Sequence, residues 1–141
     1  MSAIPPGPID HVGIAVRDLD SACATYVALL GAEVSGREIV VDQGVEVAFL
    51  QLPGDTRVEL IAPATADSPL IRFLESRGEG MHHVCILVEG LDEALTDLVA
   101  AGVRLVDERP RIGAEGARIA FLHPAALGGV LLELKEKRKR S

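Results

Sequence analysis

At 141 residues the chain fits one compact domain, or two half-sized modules sharing a core. Aromatic residues supply only 3% of it and Trp is absent, which argues against a base-stacking nucleic-acid platform; the formal net charge of -7 disfavours a general polyanion-binding surface. No apolar run approaches the roughly 18 residues of a membrane span, and Met1 to Pro8 lack the charged and apolar regions of a secretory signal, so a cytoplasmic protein without nucleic-acid or membrane partners is expected.

In chain order, Ile9 to Val16 (I-D-H-V-G-I-A-V) alternates as a strand does. Asp18 or Asp20 then caps a helix carrying Ala22, Tyr26, Leu29 and Leu30, which stops at Gly31. Short strands follow near Glu33 to Glu38, Val45 to Leu52 and Arg57 to Ile61, completing a first module over about 9–62. Ser68-Pro69 occupy the cap and first-turn positions of a linker helix over about 68–78, with Leu70, Ile71, Phe73 and Leu74 on its apolar side and Gly78-Glu79-Gly80 at its end. A second module spans about 81–134. Its strand is Met81 to Val88, its helix follows Asp92 with Leu95, Leu98 and Val99 and closes at Gly102, and its last strands lie near Arg104 to Glu108, Arg118 to Leu122 and Val130 to Leu134. The stretch 135–141 reads as a charged, solvated tail. Cys23 and Cys85 lack any paired spacing and read as reduced core residues.

The two modules are copies. His11 in I-D-H-V matches His83 in M-H-H-V at 83 − 11 = 72, G-V-E-V-A-F-L from Gly44 matches G-A-R-I-A-F-L from Gly116 at the same offset, and V-E-L around Glu59 matches L-E-L around Glu133 at 133 − 59 = 74. The expected fold is therefore α+β, two tandem βαβββ modules forming one domain, whose curved mixed sheets enclose a metal site.

Strand parity supplies the candidate ligands. His11 faces away from the row Val12, Ile14 and Val16, and His83 away from Val84, Ile86 and Val88; Glu59 faces away from Val58 and Leu60, and Glu133 away from Leu132 and Leu134. Buried carboxylates near one another are costly without a cation, and two imidazoles with two carboxylates suit a divalent Zn, Co, Ni or Mn ion while leaving positions open for substrate. One ion held by His11, Glu59, His83 and Glu133 is the expectation.

These residues resemble the vicinal oxygen chelate superfamily (glyoxalase, bleomycin resistance protein and dioxygenase), and within it the methylmalonyl-CoA epimerases, from about Ile9 to Leu134. The stretches that carry the resemblance are I-D-H-V-G-I-A-V-R-D-L-D, D-Q-G-V-E-V-A-F-L, D-S-P-L-I-R-F-L, R-G-E-G-M-H-H-V, E-R-P-R-I-G-A-E-G-A-R-I-A-F-L-H-P and G-G-V-L-L-E-L. The resemblance implies epimerisation at C2 of (2R)- and (2S)-methylmalonyl-CoA by proton removal α to the thioester, a metal ion stabilising the enolate, Glu133 as one proton-transfer group as well as a ligand, an acyl-CoA partner and a homodimer.

Two departures qualify it. Several bacterial members carry a second basic Glu on the third strand, where this chain has Val47; Glu46 is one place early and reaches the site only if the strand bulges, its other reading being a solvated residue paired with Arg118. The position often filled by Gln in epimerases is Glu59, which completes the ligand set of the glyoxalase I family, so a glyoxalase I type lactoylglutathione lyase is the alternative, with a non-catalytic small-molecule-binding member as a third. Gln43, Gly113, Gly116 and Arg118 are candidates for substrate contact, each with a plain turn or hairpin as the competing reading. With no Lys before Lys135, phosphate contacts fall to Arg72, Arg77 or Arg111, and His82 faces away from the ligand side.

Overall fold

The computed structural model describes residues 2–137 and divides them into two compact units, 11–82 and a second that joins residues up to 10 to those from 83 onward. The division falls inside the first strand of each module, β1 (Ile9–Ala15) and β5 (Gly80–Val88).

In the unit 11–82, β1 is followed by α1 (Leu19–Leu30), β2 (Glu33–Val40), β3 (Val45–Gln51), β4 (Arg57–Pro63) and α2 (Pro69–Arg77). The strand order is β2-β3-β4-β1, with β4 parallel to β1 and β3 antiparallel to both its neighbours. Asp18 caps α1 by accepting the Ser21 N–H at 2.9 Å, and Gly31 closes it at φ 64, a left-handed conformation that costs glycine little. Leu19, Cys23 and Ala22 of α1 pack on Val16, Ala48, Leu50, Leu60 and Ala62, so one face of the sheet is buried under the helix.

The second unit repeats the plan with α3 (Leu91–Ala100), β6 (Arg111–Ile112), β7 (Arg118–Leu122) and β8 (Leu132–Glu136), in the order β5-β8-β7-β6. Again the last strand returns parallel to the first. Leu91, Leu95 and Leu98 of α3 pack on Val88, Ala120, Leu122 and Leu134, joined by Ile4 from the N-terminal segment.

Three expectations need correction. No strand runs from Arg104 to Glu108: Leu105 makes an isolated bridge to Leu122, and the Val106 and Asp107 amides both donate to the Phe121 carbonyl. Two amides on one acceptor are a bulge, and the Asp107 carboxylate accepts the Phe121 N–H at 2.9 Å where a strand backbone would have. Pro110, which has no N–H to donate, then leaves β6 only Arg111 and Ile112. The supposed tail begins inside β8, where Lys135 pairs with Asp10 at 3.3 Å and Glu136 pairs with Arg118; 138–141 lie outside the described residues. Helix α3 is capped by Gly90 rather than Asp92, and Glu136 accepts the Leu91 N–H at 3.0 Å.

Candidate active site

Each sheet turns its other face, the one without a helix, toward a His and Glu pair. In the unit 11–82, Gly13 lies beside Glu59 and Phe49 lies across from it, so strand parity sets His11, Phe49 and Glu59 on the side opposite α1. His11 Nδ1 is 3.1 Å from Glu59 Oε2, with 4% and 6% of their side chains exposed. Arg57 donates to the same oxygen at 3.0 Å, and its guanidinium lies 4.8 Å above the Phe49 ring. The second unit repeats the trio. Cys85 lies beside Glu133 and Phe121 across from it; His83 Nε2 is 3.3 Å from Glu133 Oε1, and the His83 and Phe121 rings meet edge to face at 5.9 Å.

The donor set and its spacing fit a divalent ion. Imidazole nitrogens and carboxylate oxygens bind such ions at about 2.0 to 2.2 Å, so two of them on one ion stand about 3.0 Å apart at a right angle and about 3.4 Å apart in a tetrahedron. Both observed pairs fall in that interval. Cys85 shares the face of Glu133 but offers a thiol rather than a thiolate, because burial, and then the charge of Glu133, push its pKa far above the ordinary value.

Residues 10–121 match the Glyoxalase/Bleomycin resistance protein/Dioxygenase superfamily. The mitochondrial methylmalonyl-CoA epimerase of Bos taurus is 44% identical over 131 residues, 92% of this chain and 74% of that protein. The chain belongs to the methylmalonyl-CoA epimerase family. Among solved structures, the methylmalonyl-CoA epimerase of Mycobacterium tuberculosis aligns with TM-score 0.91 at 40% identity, covering 99% of this chain and 93% of that one. A methylmalonyl-CoA epimerase in complex with methylmalonyl-CoA and NH4+ aligns with TM-score 0.88 at 37% identity, covering 94% and 96%. The fold is thus that of the glyoxalase superfamily.

Glu46 is not brought to the His and Glu pair of its unit. The register of β3 with β4 is unbroken from Val45 to Gln51, so Glu46 shares the α1 face with Ala48, where Arg37 reaches both Glu46, at 3.4 Å, and Asp20. Arg118 is likewise on a helix face: it donates to Asp92 at 2.9 Å and to Glu136 at 3.0 Å, joining α3 to β8. The suggested pair of Glu46 with Arg118 is therefore replaced by two separate locks. These are repeat-equivalent, since 46 + 72 = 118 and 20 + 72 = 92.

Gly113 is buried against Ile119, and Gly116 sits at φ 68 in the turn before β7. Gln43 ends a short helical turn between β2 and β3 and lines a surface cavity with Asp42, Gly44 and Ser68. Of the arginines considered for phosphate, Arg72 is exposed, Arg77 lies 5.7 Å over Phe73, and Arg111 pairs with Asp107 at 3.6 Å. His82 packs edge-on against Phe73, the ring centroids 4.8 Å apart. Sequence reasoning missed Phe49, Phe121 and Arg57; the phenylalanines were signalled by the A-F-L shared at the offset of 72, Arg57 by nothing in the repeat, because Leu131 stands in its place.

Proposed function

We propose that this chain interconverts (2R)- and (2S)-methylmalonyl-CoA, using His11, Glu59, His83 and Glu133 to hold one divalent ion of the Zn, Co, Ni or Mn class. The observation that carries this reading is the repeated buried His and Glu pair at ligand spacing, in a chain whose relatives bear the epimerase name. That name favours an epimerase over a glyoxalase I type lyase. Of the described helices, none is long and apolar enough to cross a membrane.

When bound, the ion supplies Lewis-acid stabilisation of the negative charge that develops on the thioester oxygen as the C2 proton leaves. The residues divide the remaining work. Phe49 and Phe121 wall the two pairs with apolar rings and exclude water from them. Arg57 fixes the orientation of Glu59, whose Oε2 it shares with His11. Glu133 is the carboxylate we assign to take the C2 proton, leaving the electron pair in the thioester enolate. Substrate contact by Gln43, Gly113 and Gly116, and a homodimeric cytoplasmic protein, belong to the same reading.

The test is to incubate metal-loaded protein with one epimer in deuterated buffer. Deuterium at C2 together with the opposite epimer supports the reading; a C2 proton that never exchanges sinks it.

A further inference from the structure

An epimerase needs a proton-transfer group on each face of C2, and this chain fills only one side of the requirement with Glu133. Glu46 points to α1, and the next residue, Val47, carries no proton. The register of β2 supplies an acid from the neighbouring strand. The pairing shifts between Val34 and Gly36, so Ser35 is a bulged residue, after which Gly36 pairs with Phe49, Arg37 with Ala48 and Glu38 with Val47. A bulge exchanges the two faces of every residue that follows it. Without it Arg37 would face the site and Glu38 the helix.

The observed side chains confirm the exchange. Arg37 reaches Asp20 and Glu46 on the α1 face, so Glu38 lies on the other face with Val47, Phe49 and Glu59. Glu38 is half-buried between Gly36 and Val40 on that side, while Arg37 and Ile39 are exposed, and Glu33, beyond the bulge, is exposed as well. Cross-strand neighbours hold their Cβ atoms about 5 Å apart, close enough for a glutamate to lean over the valine beside it. Strand β2 lies two places from β4, about 10 Å away. Glu38 is level with Val47 and, through it, with Ile61, two residues along β4 from Glu59, so it stands on the site face diagonally across from Glu59.

We propose that Glu38 is the second proton-transfer residue, standing in for the missing acid at Val47; this rests on the epimerase reading given above. As Glu133 takes the C2 proton and the C–H pair enters the enolate, the carboxylic acid of Glu38 gives its proton to the opposite face of C2, and the enolate pair forms the new C–H bond. Glu38 is left as carboxylate and Glu133 as acid, and the reverse reaction restores both.

The experiment compares metal-loaded native protein, Glu38→Gln, and Glu38→Gln combined with Val47→Glu, with metal content measured for each. Epimerisation and deuterium uptake at C2 are followed from each epimer separately. Glu38→Gln is expected to lose epimerisation by about 10²- to 10⁴-fold while still exchanging the C2 proton of one epimer through Glu133, and Val47→Glu is expected to return at least tenfold of the rate. Epimerisation by Glu38→Gln within threefold of native overturns the proposal, as does loss of exchange from both epimers at full metal content. If Glu38→Gln does not hold metal, the double variant decides, its failure to epimerise while metal-loaded being the contrary result. Failure of the epimerase reading is distinguishable, because then the native protein itself exchanges neither epimer.

Discussion

Removing the ion should lower stability by an amount set by binding alone, and the pattern across ligand variants tests the one-ion arrangement. A ligand at a hundredfold excess over its dissociation constant stabilises the folded state by about 2.7 kcal/mol if it ignores the unfolded chain. With an unfolding entropy of about 2.1 cal/mol/K per residue, a chain of 141 residues gives about 0.3 kcal/mol/K, so chelation should lower Tm by about 9 °C. The assay is thermal unfolding with chelator and with Zn, Co, Ni or Mn in turn, beside isothermal titration for stoichiometry. His11→Ala, Glu59→Ala, His83→Ala and Glu133→Ala should each abolish most of the metal-dependent increment, whichever pair they belong to, because a four-ligand ion loses affinity with any ligand removed. Two ions bound per chain, or a Glu59→Ala protein that keeps the whole shift through His83 and Glu133, would refute the reasoning.

Arg118→Ala should lower Tm slightly, by freeing α3 from β8, with KM for the acyl-CoA unchanged, because exposed ion pairs are well screened; a tenfold rise in KM with Tm unchanged would return Arg118 to the substrate. Gly7→Ala should be destabilising by about 2 kcal/mol in chemical denaturation, since the new Cβ would stand 1.9 Å from the Leu87 carbonyl oxygen and displace the segment whose Pro8 carbonyl accepts the Leu87 N–H. A midpoint within experimental scatter of native counts against that close approach. Cys23 and Cys85 are free and buried, and burial raises both thiol pKa values, so neither forms thiolate near neutral pH. A thiol-reactive chromophore at pH 8 should therefore titrate neither in the native protein and both in denaturant; fast reaction of Cys85 in the native protein would contradict its burial.

Elements governed by simple periodicity were legible in the sequence. The alternation around His11 and His83, the Asp18 and Gly31 ends of α1 and the offset of 72 were enough to place both pairs on faces away from the helices. What stayed hidden depends on register, a property of two strands and not of one. Nothing in S-G-R-E-I shows that Ser35 bulges, yet that residue decides whether Arg37 or Glu38 faces the site. The second module's missing strand was hidden for a similar reason: Arg104 to Glu108 has strand-like composition, but Asp107 takes the Phe121 N–H with its side chain and breaks the ladder.

The two locks show why the charge beside the site is a poor guide to chemistry in a duplicated fold. Glu46 and Arg118 are equivalent positions of opposite sign, and both face a helix whose first turn carries an acid, Asp20 or Asp92. With glutamate at the sheet position, the first unit must bring an arginine from β2, and the bulge at Ser35 delivers Arg37. With arginine there, the second needs a further acid, and β8 extends to Glu136. Each sign of charge was thus compatible with the same helix docking, which makes position 46 a structural site. The residues one step along, Val47 and Ile119, face the other way and are apolar in both copies. Any asymmetry in proton transfer must therefore come from strands that differ between the copies. Strand β2, with its bulge and Glu38, is matched in the second unit only by the two-residue β6 and the single bridge of Leu105 to Leu122, and Pro110 stands 72 residues on from Glu38.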